Sequence, residues 1–206
     1  MTGYSEQSNF RKLLVAPVNL RQKFLELIER EIKNTKLGVE GHLIFKLNAL
    51  VDPVLITALY EASRQGVKID LIVRGNCCLI PQVPGLSENV RVISIVGRYL
   101  EHNRIYYFFN NGDEDIYCGS ADLMQRNLDR RVEIVFPIQN HEMKRFLKEQ
   151  ILDICLKDNV KSRILLPTGN YVLNHPVYTE KEVGLHDRMM KRTDINTKKI
   201  LSRELH

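Results

Sequence analysis

The 206-residue chain has no apolar run approaching the roughly eighteen residues that a membrane-crossing helix needs. Residues 1–12 are polar and lack the short apolar core of a secretory leader, so none is expected. Cysteine is scarce. Cys77, Cys78, Cys118 and Cys155 show no metal-ligand spacing and no Cys-x-x-Cys occurs, which excludes the usual zinc and dithiol signatures. Adjacent Cys77-Cys78 is poor disulfide geometry, and reduced, mostly buried thiols are expected. Those absences favour a cytoplasmic protein, or one held peripherally at a membrane. Charge of one sign is also weak. Thirty basic against 25 acidic side chains leave +5, a mild bias toward anionic partners that does not by itself argue for nucleic acid. No internal repeat or low-complexity tract is visible. What is present is ordinary: 44% hydrophobic and 27% charged residues, in a length ample for a buried core.

Strands and helices alternate through the first half. Leu13-Leu14-Val15-Ala16 reads as a short buried strand. Asn19 is placed to cap a helix whose apolar positions Leu20, Phe24, Leu27, Ile28 and Ile32 repeat at helical spacing, with Gly38 as its stop. His42 to Leu47 forms a second strand. Asp52-Pro53 then opens a helix through Leu55, Ile56, Leu59 and Ala62, closed by Gly66. Lys68 to Val73 is a third strand. Two strand–helix–strand units in series imply a parallel sheet with right-handed crossovers, whose ligands gather at the carboxyl ends of the strands, where Arg74-Gly75 lies.

The second half is expected to hold strands at Val90–Ile95, Arg104–Phe109, Asp115–Cys118 and Val132–Phe136, with an Asn111-Gly112 turn between the second and third. A helix from about Glu142 to Cys155 and a small hairpin, Arg163–Leu166 with Tyr171–Leu173, follow. Residues 177–206 are charged and weakly periodic, either a helix or a loosely held tail. Tyr99, Tyr106 and Tyr107 read as strand packing.

The chemistry concentrates between Gly97 and Arg131. There Gly97-Arg98-Tyr99-Leu100-Glu101-His102-Asn103-Arg104 precedes a strand, and Gly119-Ser120-Ala121-Asp122 follows one. A neutral imidazole can attack phosphorus or carry a proton near neutral pH. Arginine forks neutralise the oxygens of a transferring phosphate. Arg104, which cannot deprotonate, can serve only as a clamp beside His102. Glu101 either orients an imidazole or points outward. Ser120 and Asp122 fit a turn beneath a phosphate, although an Asp opening a helix is commonly an N-cap. Arg126, Arg130 and Arg131 could line an anionic path, or Asp129 and Glu133 could tie them into ion pairs. His42, His141, His175, His186 and His206 show no grouping and receive no role.

His102-x-Arg104 followed by Gly119-Ser120 resembles the second half-motif of the phospholipase D superfamily, with arginine in place of its lysine. A longer likeness is more specific. Asn48-x-Leu50-Val51-Asp52, Leu71-Ile72-Val73-Arg74-Gly75, Ser94 to His102, Ser120-Ala121-Asp122 with Arg126 to Glu133, and Asp158-Asn159-Val160-Lys161 resemble the C-terminal portion of the long-chain bacterial polyphosphate kinases. The likeness runs from about Thr2 to Tyr171.

It implies an α/β, phospholipase D-like fold: a mixed, mainly parallel sheet flanked by helices, in a single domain with a C-terminal hairpin and tail. Residues 1–175 would be the second catalytic domain and 176–206 the tail. The implied activity is reversible transfer of the terminal phosphoryl group of ATP to inorganic polyphosphate through a phosphohistidine. By the same resemblance His102 matches the family's second, assisting active-site histidine. Arg74 matches the arginine that contacts the nucleotide phosphates. Arg104, Ser120 and Arg126 join the phosphate-binding set. The phosphorylated histidine and the arginines that contact Mg2+ would lie in a preceding domain absent from this chain. The implied partners are therefore ATP or ADP, polyphosphate and the missing N-terminal portion, with a homo-oligomer also compatible, and the isolated chain is expected to be inactive.

A competing reading is a dimeric phospholipase D-like phosphodiesterase in which each chain supplies one histidine. A third is a noncatalytic module that binds polyanions through its arginines.

Overall fold

The computed structural model describes residues 10–176 and 180–193. Residues 1–9 and most of the charged tail (177–179 and 194–206, including His206) lie outside the described residues.

The first strand, β1 (Leu14–Ala16), leads into α1 (Leu20–Lys36). Asn19 stands at the cap position, but its side chain turns back and accepts from the Val15 amide at 2.7 Å instead of capping the helix. The expected stop holds: Gly38, at φ 83°, takes the left-handed conformation just past the last turn. In β2 (His42–Leu47), α2 (Pro53–Arg64) and β3 (Lys68–Val73) the boundaries match the reading of the pattern. Asp52 accepts from the Leu55 amide at 3.0 Å, with Pro53 at the first helical position. The remaining strands are β4 (Val90–Ile95), β5 (Arg104–Phe108), β6 (Asp115–Gly119), β7 (Glu133–Pro137), β8 (Ser162–Leu165) and β9 (Tyr171–Leu173). A short α3 (Gln125–Arg130) precedes β7. Where one helix was expected over 142–155, α4 (His141–Arg145) and α5 (Asp153–Lys157) are joined by a π-helical stretch, Phe146–Leu152. A last helix, α6, covers 185–193.

The nine strands among the described residues form one sheet in the order β1-β7-β6-β5-β2-β3-β4-β8-β9. The expectation of a mainly parallel sheet is corrected here. Only β2–β3 and β3–β4 run parallel, and the other six pairings are antiparallel. The β2–α2–β3 unit is a parallel crossover, but α1 carries the chain from β1 at one edge to the centre, and β1 pairs antiparallel with β7. Between β5 and β6 the connection is too short for a crossover, so antiparallel pairing is the geometry available there. The β5–β6 turn takes positive φ at Asn110, Asn111 and Gly112, as an Asn-Gly turn allows.

Both faces of the sheet are covered. Leu43, Phe45, Leu47, Leu71, Val73, Tyr106 and Phe108 pack toward α1 and α2, with Phe24 and Tyr106 rings 4.7 Å apart. Ile44, Ile72, Ile93, Ile105 and Tyr107 face the other way, against Leu152, Ile154, Cys155 and Leu185. Alternation along each strand thus divides one chain into two cores. Leu185, at the start of α6, is buried, so this part of the segment after residue 175 is packed against the second core. The thiols are less buried than expected. Cys155 alone is buried, Cys77 and Cys118 are half-buried, and Cys78 is exposed.

Candidate active site

One edge of the sheet collects the functional residues. β2, β3 and β4 end there, and β5, antiparallel to β2, begins there with Arg104 paired to Gly119, the last residue of β6. Leu50, in the connection after β2, bridges both Cys77 and Leu123 and draws the neighbouring loops together.

Arg74 is the first residue past β3. Its amide donates to the Leu47 carbonyl at 3.1 Å and its carbonyl accepts from the Ser94 hydroxyl at 3.0 Å, so its backbone is held between β2 and β4. A Cβ at Gly75 would lie 2.9 Å from the Asn48 carbonyl, which explains the glycine after it. The Arg74 Nη1 donates to the carbonyl of Glu101 at 2.7 Å, the peptide that leads into His102.

His102 is exposed and lies against Arg104. Arg104 Nη1 donates to His102 Nδ1 at 3.0 Å and to the His102 carbonyl at 2.9 Å, while Nη2 lies 3.4 Å from Nε2. A guanidinium offers only donors, and the shorter of its two ring contacts is to Nδ1, which makes Nδ1 the better placed acceptor of a neutral ring. The same guanidinium is gripped from beneath. Its Nε and Nη2 donate to Oδ1 and Oδ2 of Asp122 at 3.2 and 2.7 Å. Burial works against the Arg104 charge, but the hydrogen bond and charge of Asp122 outweigh it and raise the Arg104 pKa.

Asp122 was read as a possible helix cap, and the structure corrects this: α3 starts after Met124, without a side-chain cap. Asp122 is buried, and its Oδ1 also accepts from the Asn48 and Ala49 amides at 2.7 and 3.2 Å. It locks the end of β2 to the clamp beside the histidine. Gly119 is required by space, since a Cβ there would lie 2.3 Å from the Ile134 carbonyl. The Ser120 hydroxyl donates to Glu133, which also accepts from Asn127. Arg131 approaches Glu133 only loosely, at 3.9 Å, and Asp129 pairs with Arg21 on α1 at 2.5 Å. Arg126 is exposed on α3, with no bond to the cluster among the described residues. Arg74, His102 and Arg104 are therefore brought together, Ser120 adjoins Arg104 through Gly119, and Arg126 stands apart.

Glu101 does meet an imidazole, but it is that of His186, at 2.6 Å, and its other oxygen meets Lys46 Nζ at 2.8 Å. Lys46 is buried on β2, and a buried charge needs a partner. Nothing in the sequence linked His186 to a residue 85 positions earlier.

Among the described residues no three His, Cys, Asp or Glu side chains converge on a metal-sized space. Glu101 and Asp122 are each committed to cationic partners, and Glu133 to Ser120 and Asn127. These residues do not fit a divalent cation.

Residues 13–184 match the family described as Polyphosphate kinase C-terminal domain 2. The chain belongs to the polyphosphate kinase family. A polyphosphate kinase of Thermosynechococcus vestitus is 52% identical over 193 residues, covering 94% of this chain and 26% of that protein. The crystal structure of polyphosphate kinase from Porphyromonas gingivalis superposes with a TM-score of 0.88 at 41% identity, over 95% of this chain and 30% of that one. The chain thus spans about a quarter of the length of the curated polyphosphate kinases it matches. Nuc from Salmonella typhimurium, a phospholipase D family member, aligns with TM-score 0.55 at 14% identity over 75% of this chain and 97% of that one, a likeness of fold alone. The polyphosphate kinase match extends past Tyr171 into the segment that precedes α6. No helix among the described residues is long and apolar enough to cross a membrane.

Proposed function

We propose that this chain is the nucleotide-phosphate-binding, histidine-bearing part of a polyphosphate kinase that reversibly moves the terminal phosphoryl group of ATP to inorganic polyphosphate. In this reading the phosphoryl group passes to a histidine of a preceding portion as the γ-phosphorus bond to the β–γ bridging oxygen breaks and ADP leaves. A terminal oxygen of polyphosphate then takes it from that histidine. Arg74 neutralises the nucleotide phosphates. Arg104 offers its remaining donor directions to the transferring oxygens while Asp122 holds its plane. His102 donates from Nε2 to an oxygen of the group in flight, or passes that proton to the departing oxygen. Ser120 and Arg126 extend the anionic path. Mg2+, implied by the family, would be held elsewhere.

One observation carries the reading: Arg74 donates to the peptide that leads into His102, and His102 lies on Arg104, so two guanidinium groups and one imidazole share a single edge in a chain of this family. The test mixes this chain with the preceding portion of a family member and measures ATP formed from ADP and polyphosphate. Activity in the mixture only, abolished by His102→Ala, supports the proposal. Activity unchanged by His102→Ala overturns it. Hydrolysis of bis-p-nitrophenyl phosphate by a dimer of this chain alone would instead favour the phosphodiesterase.

A further inference from the structure

The segment that carries His102 has little to hold it. Among the described residues no backbone–backbone hydrogen bond forms within 97–103, outside the regular elements. Tyr99, Leu100, His102 and Asn103 are exposed. A reactive side chain on such a segment needs outside support to keep one orientation.

Besides Arg74, Arg104 and Lys46 on the sheet, that support comes from α6, reached through a chain of specific contacts. Buried Asp158 accepts from the Val160, Lys161 and Ser162 amides with Oδ1, at 3.0, 2.8 and 3.0 Å, and from the Leu185 amide with Oδ2, at 2.8 Å. Asn159 Oδ1 accepts from the Val183 amide at 2.8 Å. These bonds, with Leu185 in the second core, fix the start of α6.

The next residue, His186, reaches into the 97–103 segment with both ring nitrogens. Nε2 lies 2.6 Å from Glu101 Oε1, and Nδ1 accepts from the Tyr99 amide at 3.3 Å. The two contacts agree on one tautomer, Nε2–H donating to the carboxylate and Nδ1 accepting. Glu101 Oε2 is met at 2.8 Å by Lys46, which is buried on β2. Gly97 completes the fit, since a Cβ there would lie 2.4 Å from His186 Nδ1. Tyr99 leans on the same ring at 5.5 Å and donates its hydroxyl to Met190 Sδ at 3.1 Å.

We propose that His186 is a positioning residue: through Glu101 it latches the 97–103 segment to α6 and thereby holds the His102 imidazole against Arg104. The residue before the imidazole is tied by its carboxylate to β2 and α6 and by its carbonyl to Arg74, so among the described residues freeing the carboxylate from His186 leaves only the Tyr99 contacts between α6 and the segment. Asp158 and Asn159 then have a purpose beyond a turn, since they anchor the helix that carries the latch. The link to turnover rests on the kinase reading above, whereas the link to His102 geometry does not.

The test uses the full chain with His186→Ala, His186→Gln, which keeps a side-chain donor for Glu101, and Gly97→Ala, which crowds the ring without removing it. Hydrogen exchange of the Tyr99 amide, the amide of the segment that is bonded to His186, should rise at least tenfold in His186→Ala and Gly97→Ala, with β2 and β3 amides unchanged as the control of folding, and return toward wild type in His186→Gln. The His102 ring resonances, and their response to added inorganic tripolyphosphate, should change in the same order. In the mixture with the preceding portion, turnover should fall at least tenfold in His186→Ala while KM for ADP stays within twofold, with partial rescue by Gln. Unchanged exchange and an unchanged His102 signal in His186→Ala would overturn the latch. A loosened segment with full turnover would overturn its role in positioning. A wild-type mixture that makes no ATP counts against the kinase reading alone, and the exchange and ring spectra still decide the latch.

Discussion

Removing the Asp122 carboxylate is the sharpest perturbation of this edge. The Arg104–Asp122 pair is bidentate, and both side chains are at most 10% exposed. Asp122→Ala leaves a guanidinium without its counter-charge and strips the acceptor from the Asn48 and Ala49 amides. Breaking a buried pair from one side costs about 3–5 kcal/mol, because the surviving charge stays desolvated. Asp122→Asn keeps an acceptor for the amides but turns an N–H toward Arg104 Nη2, for a loss of about 1.5–3 kcal/mol. For a chain of this size each kcal/mol moves Tm by roughly 2–4 °C, so Asp122→Ala should melt about 6–20 °C below wild type and Asp122→Asn about 3–12 °C below. Thermal and urea unfolding followed by far-UV circular dichroism measure both. Combining Arg104→Ala with Asp122→Ala should be less damaging than the sum of the two single changes, by about 1–3 kcal/mol. An Asp122→Ala variant within about 1 kcal/mol of wild type, or strictly additive changes, would refute the argument that this carboxylate anchors the clamp.

Glu31 on α1 is fully buried, and burial raises its pKa against the opposing pull of the Asn110 amide and Arg30. A raised folded-state value means that its contribution is greatest below the unfolded carboxyl range and is lost as pH rises through the folded pKa. The stability of wild type relative to Glu31→Gln should therefore decline from pH 4 to pH 8, as read by Tm across that range, and an opposite slope would reject the assignment. Burial pushes the Cys77 and Cys118 thiols up to about 11 and Cys155 up to about 12. At pH 8 a thiol of pKa 11 is only about one part in a thousand thiolate, so exposed Cys78 should be the residue that reacts with a disulfide reagent in the folded chain, the others following on denaturation. Peptide mapping after labelling checks this, and rapid labelling of Cys155 in the native state would contradict it.

Much of the fold was legible locally. β2, α2, β3 and β4 end where the apolar alternation, the Asp52-Pro53 start and Gly66 place them, because each signal acts within a few residues. Strand direction was less accessible. The pattern of α1 between two strands suggested a parallel unit, yet β1 pairs with β7 at the far edge, a choice made by residues more than a hundred positions apart. At the site, His102 and Arg104 are two residues apart and their contact was open to local reasoning. Asp122 misled it, since an Asp before a helix has the look of a cap until Arg104 is brought above it. His186 was invisible for a similar reason: a lone histidine on a charged, weakly periodic segment has no meaning until α6 is packed against the second core.

The residues of this chain determined by themselves which segments become strands and helices, which of their faces are apolar, and that an imidazole and an arginine lie side by side near a Gly-Ser turn. Periodicity, capping and turn chemistry are short-range effects and act wherever the chain is. Tertiary structure alone decided which carboxylate meets which partner: Asp122 with Arg104, and Glu101 with Lys46 and His186 rather than with the histidine beside it. Those pairings form only when sheet closure and helix docking remove the groups from water, since a desolvated charge is costly until the partner the fold supplies comes within hydrogen-bonding distance.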